Sequence, residues 1–245
     1  MSDTVNSTVN NVSEVIDAES IVVRFSGDSG DGMQLTGMQF TNTTALLGKD
    51  ISTFPEFPAE IRAPAGTVAG VSGYQVHFGS KEIFTPGDKY DVVVCMNAAA
   101  LKVDLPRLKK GGIVIANTAG FDSKNLKLAG YAAGAASPLE DGSLDGYRLY
   151  KVDVTRLTVE SLKDSGLGMK EIDRCKNMFV LGLLFWMFDK SMEFTIRSLQ
   201  EKFASKPDIL AANIKVLKAG WNYGDTTEIF TTRYKVGPAK LPPGV

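Results

Sequence analysis

Cysteine and histidine are scarce in this sequence. Its 245 residues include two cysteines, Cys95 and Cys175, without a Cys-x-x-Cys pair, and a single histidine, His77. A zinc ribbon or a four-cysteine iron–sulfur cluster held by this chain alone is therefore excluded. A hydrolase triad would depend on His77, and no Gly-x-Ser-x-Gly motif accompanies it. We expect a structural or surface role for His77 and reduced, buried thiols at both cysteines.

The sequence also lacks a charge imbalance and a long apolar run. Lys and Arg number 27 against 28 Asp and Glu, so nucleic acid and anionic membranes are not indicated as partners. The longest apolar run, Met178 to Phe188, is too short to cross a bilayer. Residues 1–18 are polar and have no basic signal-peptide start. We expect a cytoplasmic protein with a disordered tail at 1–18.

What the sequence does contain is a series of short apolar runs separated by helical patterns. Two of these runs, Tyr90–Cys95 and Gly112–Ala116, are nearly all apolar, as in strands that are buried on both faces of a parallel sheet. Strands that alternate with helices predict a three-layer α/β/α fold with a mainly parallel sheet, here over residues 19–155. The predicted strands are Ser20–Phe25, Asp50–Phe54, Val71–Phe78, Tyr90–Cys95, Gly112–Ala116 and Tyr147–Val154, and the predicted helices among them are Met33–Leu47 and Ala98–Leu108.

The pattern becomes entirely helical after residue 155. We predict a helical part over 156–225 that packs against the sheet and completes one domain over 19–236. The proline-rich end, 237–245, resembles a linker to a further domain. The predicted helices of this part are Leu157–Leu162, Glu171–Phe188, Phe194–Phe203 and Asp208–Tyr223.

A glycine-rich turn, Ser26–Gly32, lies between the first predicted strand and the first predicted helix. Glycines before a helix N-terminus allow a ligand to approach unpaired backbone amides. The glycine order is G-x-x-G-x-G, which is neither the dinucleotide fingerprint nor a P-loop. Asp28 and Asp31 would repel a phosphate unless they face away. The turn is therefore either a ligand contact or simply a tight strand–helix connection.

An independent nucleotide-binding reductase is the main alternative. Glu56 lies where an acidic residue would hold a ribose, and Tyr147 and Lys151 form a Y-x-x-x-K pair. That pair needs a helix to bring its side chains together, whereas the segment around it alternates like a strand. The catalytic interpretation of the pair is therefore disfavoured.

The combination of three segments indicates a protein family far more specifically than any one segment does. The segments are Gly27–Gly32 (GDSGDG), Phe54–Gly66 (FPEFPAEIRAPAG) and Gly70–Gly73 (GVSG). They resemble the gamma-type domain of 2-oxoacid:ferredoxin oxidoreductases. The match is best with the N-terminal part of the alpha subunit in the 2-oxoglutarate class. In the wider family the turn usually reads G-x-G-G-Q-G, and the change to GDSGDG is typical of the 2-oxoglutarate-like branch.

The resemblance implies a function in a larger enzyme. Complete members convert a 2-oxoacid and coenzyme A into an acyl-CoA and CO₂ while reducing ferredoxin. Thiamine diphosphate with Mg²⁺ and a four-iron cluster do the chemistry. They are held by a thiamine-binding domain of the longer chain and by a beta subunit. The gamma domain is implied to help enclose coenzyme A and to hold no cofactor or metal alone.

The resemblance also implies site residues. The residues expected at the coenzyme are Gly27, Ser29, Gly30, Asp31, Gly32 and Arg62, and the loop expected to face the partner domain carries Glu56, Glu60 and Arg62. Arg62 suits a phosphate or a carboxylate, although an ion pair with Glu60 or Glu56 is an alternative. No catalytic residue is expected. An assembly module without a ligand of its own remains a third hypothesis.

Overall fold

The computed structural model describes residues 14–60, 63–227 and 229–240. The strands are β1 (Glu14–Asp17), β2 (Ser20–Asp28), β3 (Asp50–Glu56), β4 (Val71–Gly79), β5 (Tyr90–Cys95), β6 (Leu108–Asn117), β7 (Arg148–Val152) and β8 (Thr232–Lys235). The α-helices are α1 (Met33–Leu46), α2 (Ala98–Asp104), α3 (Ser123–Leu128), α4 (Val154–Leu162), α5 (Met169–Asp173), α6 (Lys176–Met187), α7 (Glu193–Lys202) and α8 (Pro207–Thr226).

Six strands form the central sheet in the order β3-β4-β2-β5-β6-β7. The pairs β2–β5, β5–β6 and β6–β7 are parallel, whereas β4 is antiparallel to both β2 and β3. The predicted α/β architecture with a mainly parallel sheet is confirmed. The expected parallel pairing of β5 with β6 is also observed, with Val92 opposite Ile113.

The two faces of the sheet are covered by different helices. On one face Val23 and Phe25 pack with Phe40 of α1 and with α6. On the other face Val22 and Val93 pack with α2 and α3. Alternate side chains of a strand point to opposite faces, so a strand buried on both sides is almost entirely apolar, as β5 is apart from Asp91.

Two predictions about element boundaries are wrong. Residues 14–17 do not belong to a disordered tail, because they form β1, which pairs in parallel with β8. The single helix predicted over Glu171–Phe188 is two helices, α5 and α6, separated at Arg174 and Cys175. The predicted tail at 1–13 and the end of the predicted linker, 241–245, lie outside the described residues. None of the helices in the described ranges is long and apolar enough to cross a membrane.

Lys190 is an unusual cation in the core. It is only 4% exposed, and its Nζ lies 4.9 Å and 4.7 Å from the ring centroids of Phe40 and Phe78. Among the described residues it forms no ion pair. Burial, together with the nearby charge of Lys49, lowers the pKa of Lys190 to about 7.

The depressed pKa predicts a stability that depends on pH. The unfolded chain keeps the Lys190 proton up to about pH 10, whereas the folded chain releases it near pH 7. Between these values the unfolded state binds more protons, so stability rises with pH. We expect Lys190→Met to raise the free energy of unfolding at pH 7 by about 3 kcal/mol. The loss of the cation–π attraction between the ammonium group and the two phenyl rings reduces this gain. That gain should shrink at pH 9.5.

Denaturant melts at the two pH values measure this effect. Lys215→Met, at an exposed position of α8, is the control and should change stability little at either pH. An Lys190→Met gain that is the same at pH 7 and pH 9.5 would contradict the pKa argument.

Candidate functional site

The candidate site lies outside the carboxyl ends of β2 and β5. After β2 the chain continues into α1 on one face of the sheet, and after β5 it continues into α2 on the other face. The gap between two such neighbouring parallel strands is the topological switch point, where open α/β sheets bind ligands. The predicted glycine turn occupies this position.

The turn is built around two tightly packed glycines. β2 extends to Asp28, residues Ser29–Asp31 form one 3-10 turn, and Gly32 has a φ of 74° before α1 begins. A Cβ on Gly27 would lie 2.6 Å from Oδ2 of Asp31, and one on Gly32 would lie 2.6 Å from Nδ2 of Asn177. Both positions therefore require glycine for close packing, and Gly32 also for its left-handed backbone.

The acids of the turn are engaged within the protein. The Asp28 carboxylate accepts a hydrogen bond from the Gly66 amide at 2.9 Å. Asp31 accepts one from the Asp28 amide at 2.8 Å and pairs with Lys176 Nζ at 2.9 Å. Asp173 is the second partner of Lys176, at 3.1 Å. These contacts fix the turn against the 63–70 loop and the start of α6.

Charges in this cluster shift two pKa values. Burial raises the pKa of Asp28, and the neighbouring Asp31 adds to the rise, while the Gly66 hydrogen bond opposes it. Burial alone would lower the pKa of Lys176, but the carboxylates of Asp31 and Asp173 outweigh it and raise that pKa. Lys176 is therefore a firmly protonated centre of the cluster.

A cavity of about 450 Å³ opens beside the turn. Three carboxylates and one ammonium group surround it, so its net charge is negative. Such a surface disfavours a phosphate and accommodates neutral polar groups or cations. The residues that line it are Asp28, Ser29, Gly30, Asp31, Ala63, Ala65, Gly70, Asp173 and Lys176.

The structure separates the predicted coenzyme residues into two sets. Ser29, Gly30 and Asp31 line the cavity, whereas Gly27 and Gly32 pack against protein atoms. Arg62 lies outside the described residues, so its assignment stays a prediction. The sequence analysis did not identify Lys176 or Asp173. They lie more than 140 residues from the turn in the chain, and the only local signal is a polar start to an apolar helix.

The loop predicted to face a partner begins at a buried ion-pair network. Glu56, with its side chain 44% exposed, pairs with Arg24, whose side chain is 1% exposed. Arg24 Nε also lies 3.1 Å from Oδ1 of Asp104. A Cβ on Gly73 would lie 2.3 Å from the Arg24 guanidinium carbon, so Gly73 makes room for the arginine. Glu60, further along the loop, is exposed.

The residues of the competing hypotheses are not assembled for catalysis. Tyr147 precedes β7 and Lys151 lies within it, where its Nζ bonds Glu140 at 2.9 Å. His77 Nδ1 contacts the Thr85 carbonyl oxygen at 2.7 Å, in agreement with a structural role. The described residues contain no group of three or more His, Cys, Asp or Glu side chains suited to a metal ion.

Both thiols are free and buried, as expected. Burial raises the pKa of Cys95 and Cys175, that of Cys175 to about 11 with a contribution from Glu171. The thiolate is the nucleophilic form, so neither cysteine is activated near neutral pH.

A family model described as pyruvate ferredoxin/flavodoxin oxidoreductase matches residues 22–223. The chain belongs to this oxidoreductase family. Among its relatives is the 2-oxoglutarate oxidoreductase subunit KorA of Mycobacterium tuberculosis, which is 50% identical over 226 residues. That match covers 92% of this chain and 34% of KorA, so the chain spans about a third of the relative's length. The resemblance predicted from the three motifs is confirmed.

Solved structures of the oxidoreductase family share the fold. The 2-oxoglutarate:ferredoxin oxidoreductase of Magnetococcus marinus, with 2-oxoglutarate, coenzyme A and succinyl-CoA bound, matches with a TM-score of 0.69 and 24% identity. The match covers 91% of this chain and 34% of that one. A keto/oxoacid ferredoxin oxidoreductase gamma subunit of Geobacter sulfurreducens matches with a TM-score of 0.55 and 16% identity, over 84% of this chain and 97% of that subunit.

Proposed function

We propose that this chain is the gamma-type domain of a cytoplasmic 2-oxoglutarate:ferredoxin oxidoreductase. The whole enzyme would convert 2-oxoglutarate and coenzyme A into succinyl-CoA and CO₂, and pass two electrons to ferredoxin. The observation that carries this proposal is the 50% identity to KorA over nearly the whole chain. The position of the GDSGDG turn at the switch point supports it, because that is where this fold class binds ligands.

Thiamine diphosphate, Mg²⁺ and the four-iron cluster would belong to partners: the thiamine-binding domain of a longer chain and a beta subunit. Thiamine diphosphate would supply the carbanion chemistry when bound there. The described residues of this chain do not fit these groups. Gly30-Asp31-Gly32 resembles the start of a Gly-Asp-Gly metal motif, but Asp31, its only acid, is already held by Lys176 and by the Asp28 amide. The two cysteines are separate and buried.

The part of this chain that would meet coenzyme A is the rim formed by Ser29 and Gly30. Both residues are exposed, and no atom lies within 4 Å of a Cβ built on Gly30. Because three carboxylates line the adjoining cavity, the uncharged pantetheine amides suit this rim better than the phosphates do. Arg62 remains the proposed contact for a phosphate or carboxylate.

Steady-state kinetics of the reconstituted enzyme test this contact. The complex would contain this chain, the thiamine-binding segment, the beta subunit and ferredoxin. We expect Gly30→Leu to raise the KM for coenzyme A about tenfold, because the new side chain enters the space that the coenzyme would fill. The value of kcat at saturating coenzyme A should change little.

Gly146→Leu is the matched control, because a Cβ there also meets no atom within 4 Å. It should leave both kinetic constants near those of the wild type. Equal KM values for the two variants would show that coenzyme A does not contact the turn, and would favour the assembly-module hypothesis. The chain alone should show no turnover, and activity above the buffer blank would contradict its role as a dependent domain.

A further inference from the structure

Three exposed phenylalanines belong to β3 and to the segments next to it. β3 is the outermost strand of the central sheet and, within the described residues, pairs with β4 alone. Phe54 near its end is 46% exposed, Phe57 just beyond it is 68% exposed, and Phe84 in the β4–β5 connection is 81% exposed. A single exposed apolar residue is ordinary, but several exposed aromatic rings at a free sheet edge indicate a surface that a partner covers.

The β4–β5 connection holds Phe84 on the same face of the sheet as Phe54. Phe54 is opposite Gln75 in the β3–β4 register, so both side chains point to that face. The Gln75 amide nitrogen donates hydrogen bonds to two carbonyl oxygens of the connection, at 2.5 and 2.6 Å. The backbone amide of Ile83, next to Phe84, donates one to the Asp50 carboxylate of β3 at 2.5 Å. Phe54 and Phe84 therefore belong to one surface.

The backbone before Phe57 is fixed by side chains from three elements. The Glu56 carbonyl oxygen accepts hydrogen bonds from Gln34 Nε2 at 3.0 Å and from Ser72 Oγ at 3.2 Å. The Glu56 carboxylate pairs with the buried Arg24. An aromatic side chain next to an anchored backbone loses little conformational freedom when a partner buries it, so Phe57 suits the role of an anchor residue.

The C-terminal segment of the described chain runs past the start of β3. The Ala239 amide donates a hydrogen bond to the Gly48 carbonyl oxygen at 2.7 Å, and Lys49 Nζ donates one to the Val236 carbonyl oxygen. Gly48 and Lys49 directly precede β3. This chain covers 34% of KorA, and the resemblance implies that the remainder follows it in the longer chain. That remainder would leave the domain beside β3.

Pro55 argues against a second copy of this chain as the occupant. A second copy could add a strand to β3 through backbone hydrogen bonds, as exposed sheet edges allow. Pro55 lies within β3 and has no amide hydrogen to donate, so it interrupts such a ladder. The contact would then depend on side chains, and its occupant needs apolar recesses for aromatic rings.

We propose that Phe54, Phe57 and Phe84 dock this domain onto the thiamine-binding segment of the longer chain. The proposal rests on the proposed function, which supplies that segment. The three rings would enter apolar recesses of the segment, which begins beside them. Buried aromatic side chains at the centre of an interface are among the residues whose truncation weakens association most.

Analytical ultracentrifugation of this chain with the rest of the reconstituted enzyme tests the proposal. We expect Phe57→Ser/Phe84→Ser to raise the dissociation constant at least tenfold, because two rings would lose their burial. Both side chains are exposed in the domain itself, so its free energy of unfolding should change little. At saturating concentrations of the variant chain, the KM for coenzyme A should equal that of the wild type.

Met169→Ser/Leu46→Ser is the matched control. It removes two apolar side chains that are 65% and 62% exposed, from α5 and α1. Both helices pack on the opposite face of the sheet from Phe54. The control should leave the dissociation constant unchanged.

The other outcomes contradict the proposal in distinguishable ways. Equal dissociation constants for the phenylalanine variant and the wild type, or an equal loss in the control, overturn the docking surface but leave the Gly30→Leu effect on KM intact. Dimerisation of the 245-residue chain that the phenylalanine variant abolishes would assign the surface to a second copy and overturn the proposed occupant. No association of the wild-type chain with the rest of the enzyme would overturn the proposed function together with this surface.

Discussion

Gly182→Ala is expected to lower the free energy of unfolding by about 3 kcal/mol or more. A Cβ at this position of α6 would lie 1.9 Å from the carbonyl oxygen of Leu217 in α8, and 2.9 Å from the amide nitrogen of Trp221. Both are backbone atoms of a packed helix, so the clash is relieved only if the helices separate. Their separation would expose apolar surface and open gaps in the core.

The direction of this effect opposes helix propensity. Alanine stabilises an ordinary helical position by about 1 kcal/mol relative to glycine. Chemical denaturation would therefore measure a loss that packing alone explains. Gly220→Ala, whose Cβ would lie 2.0 Å from the Phe179 carbonyl oxygen across the same contact, should show a similar loss. Gly146→Ala should be nearly neutral, and stability gains at 182 and 220 would refute the close approach of α6 and α8.

Asp104→Ala is expected to cost about 3–5 kcal/mol, because it leaves the buried Arg24 guanidinium without its buried partner. The Asp104 side chain is 2% exposed and also accepts a hydrogen bond from the Tyr90 hydroxyl at 3.2 Å. Glu56, the other partner of Arg24, is half-exposed and compensates only in part. Asp104→Asn keeps an acceptor and should cost less than the alanine variant.

Equilibrium unfolding of matched ion-pair variants measures this difference. Glu140→Ala breaks the pair with Lys151, in which both side chains are more than 40% exposed, and should change stability by about 0–1 kcal/mol. Equal effects of Asp104→Ala and Glu140→Ala would show that the Arg24 network is not buried in solution.

Elements with a strong local pattern were predicted well. The bounds of β5 were predicted to the residue, because a strand buried on both faces forms a nearly continuous apolar run, here interrupted only by Asp91. β1 and β8 were missed because each has four residues and they pair only with one another, more than 200 residues apart in the chain. Such pairing leaves little local signal. The break between α5 and α6 was missed because apolar spacing continues across it.

The functional residues divide in the same way. The glycine turn was identified from sequence because its three glycines lie within six residues of the chain and meet a local backbone requirement. Lys176 was not identified from sequence, since its role depends on the ion pair that the start of α6 makes with Asp31 in the folded protein.

The sequence by itself determined the family, the α/β class and the glycine turn between β2 and α1, because these follow from local periodicity and from adjacent motif residues. Only the tertiary structure decided which groups surround the turn and that Glu56 pairs with the buried Arg24. Charge and burial act over distances of a few ångströms in space. The number of residues between two groups along the chain says almost nothing about such distances, because they are set only when the helices pack on the sheet.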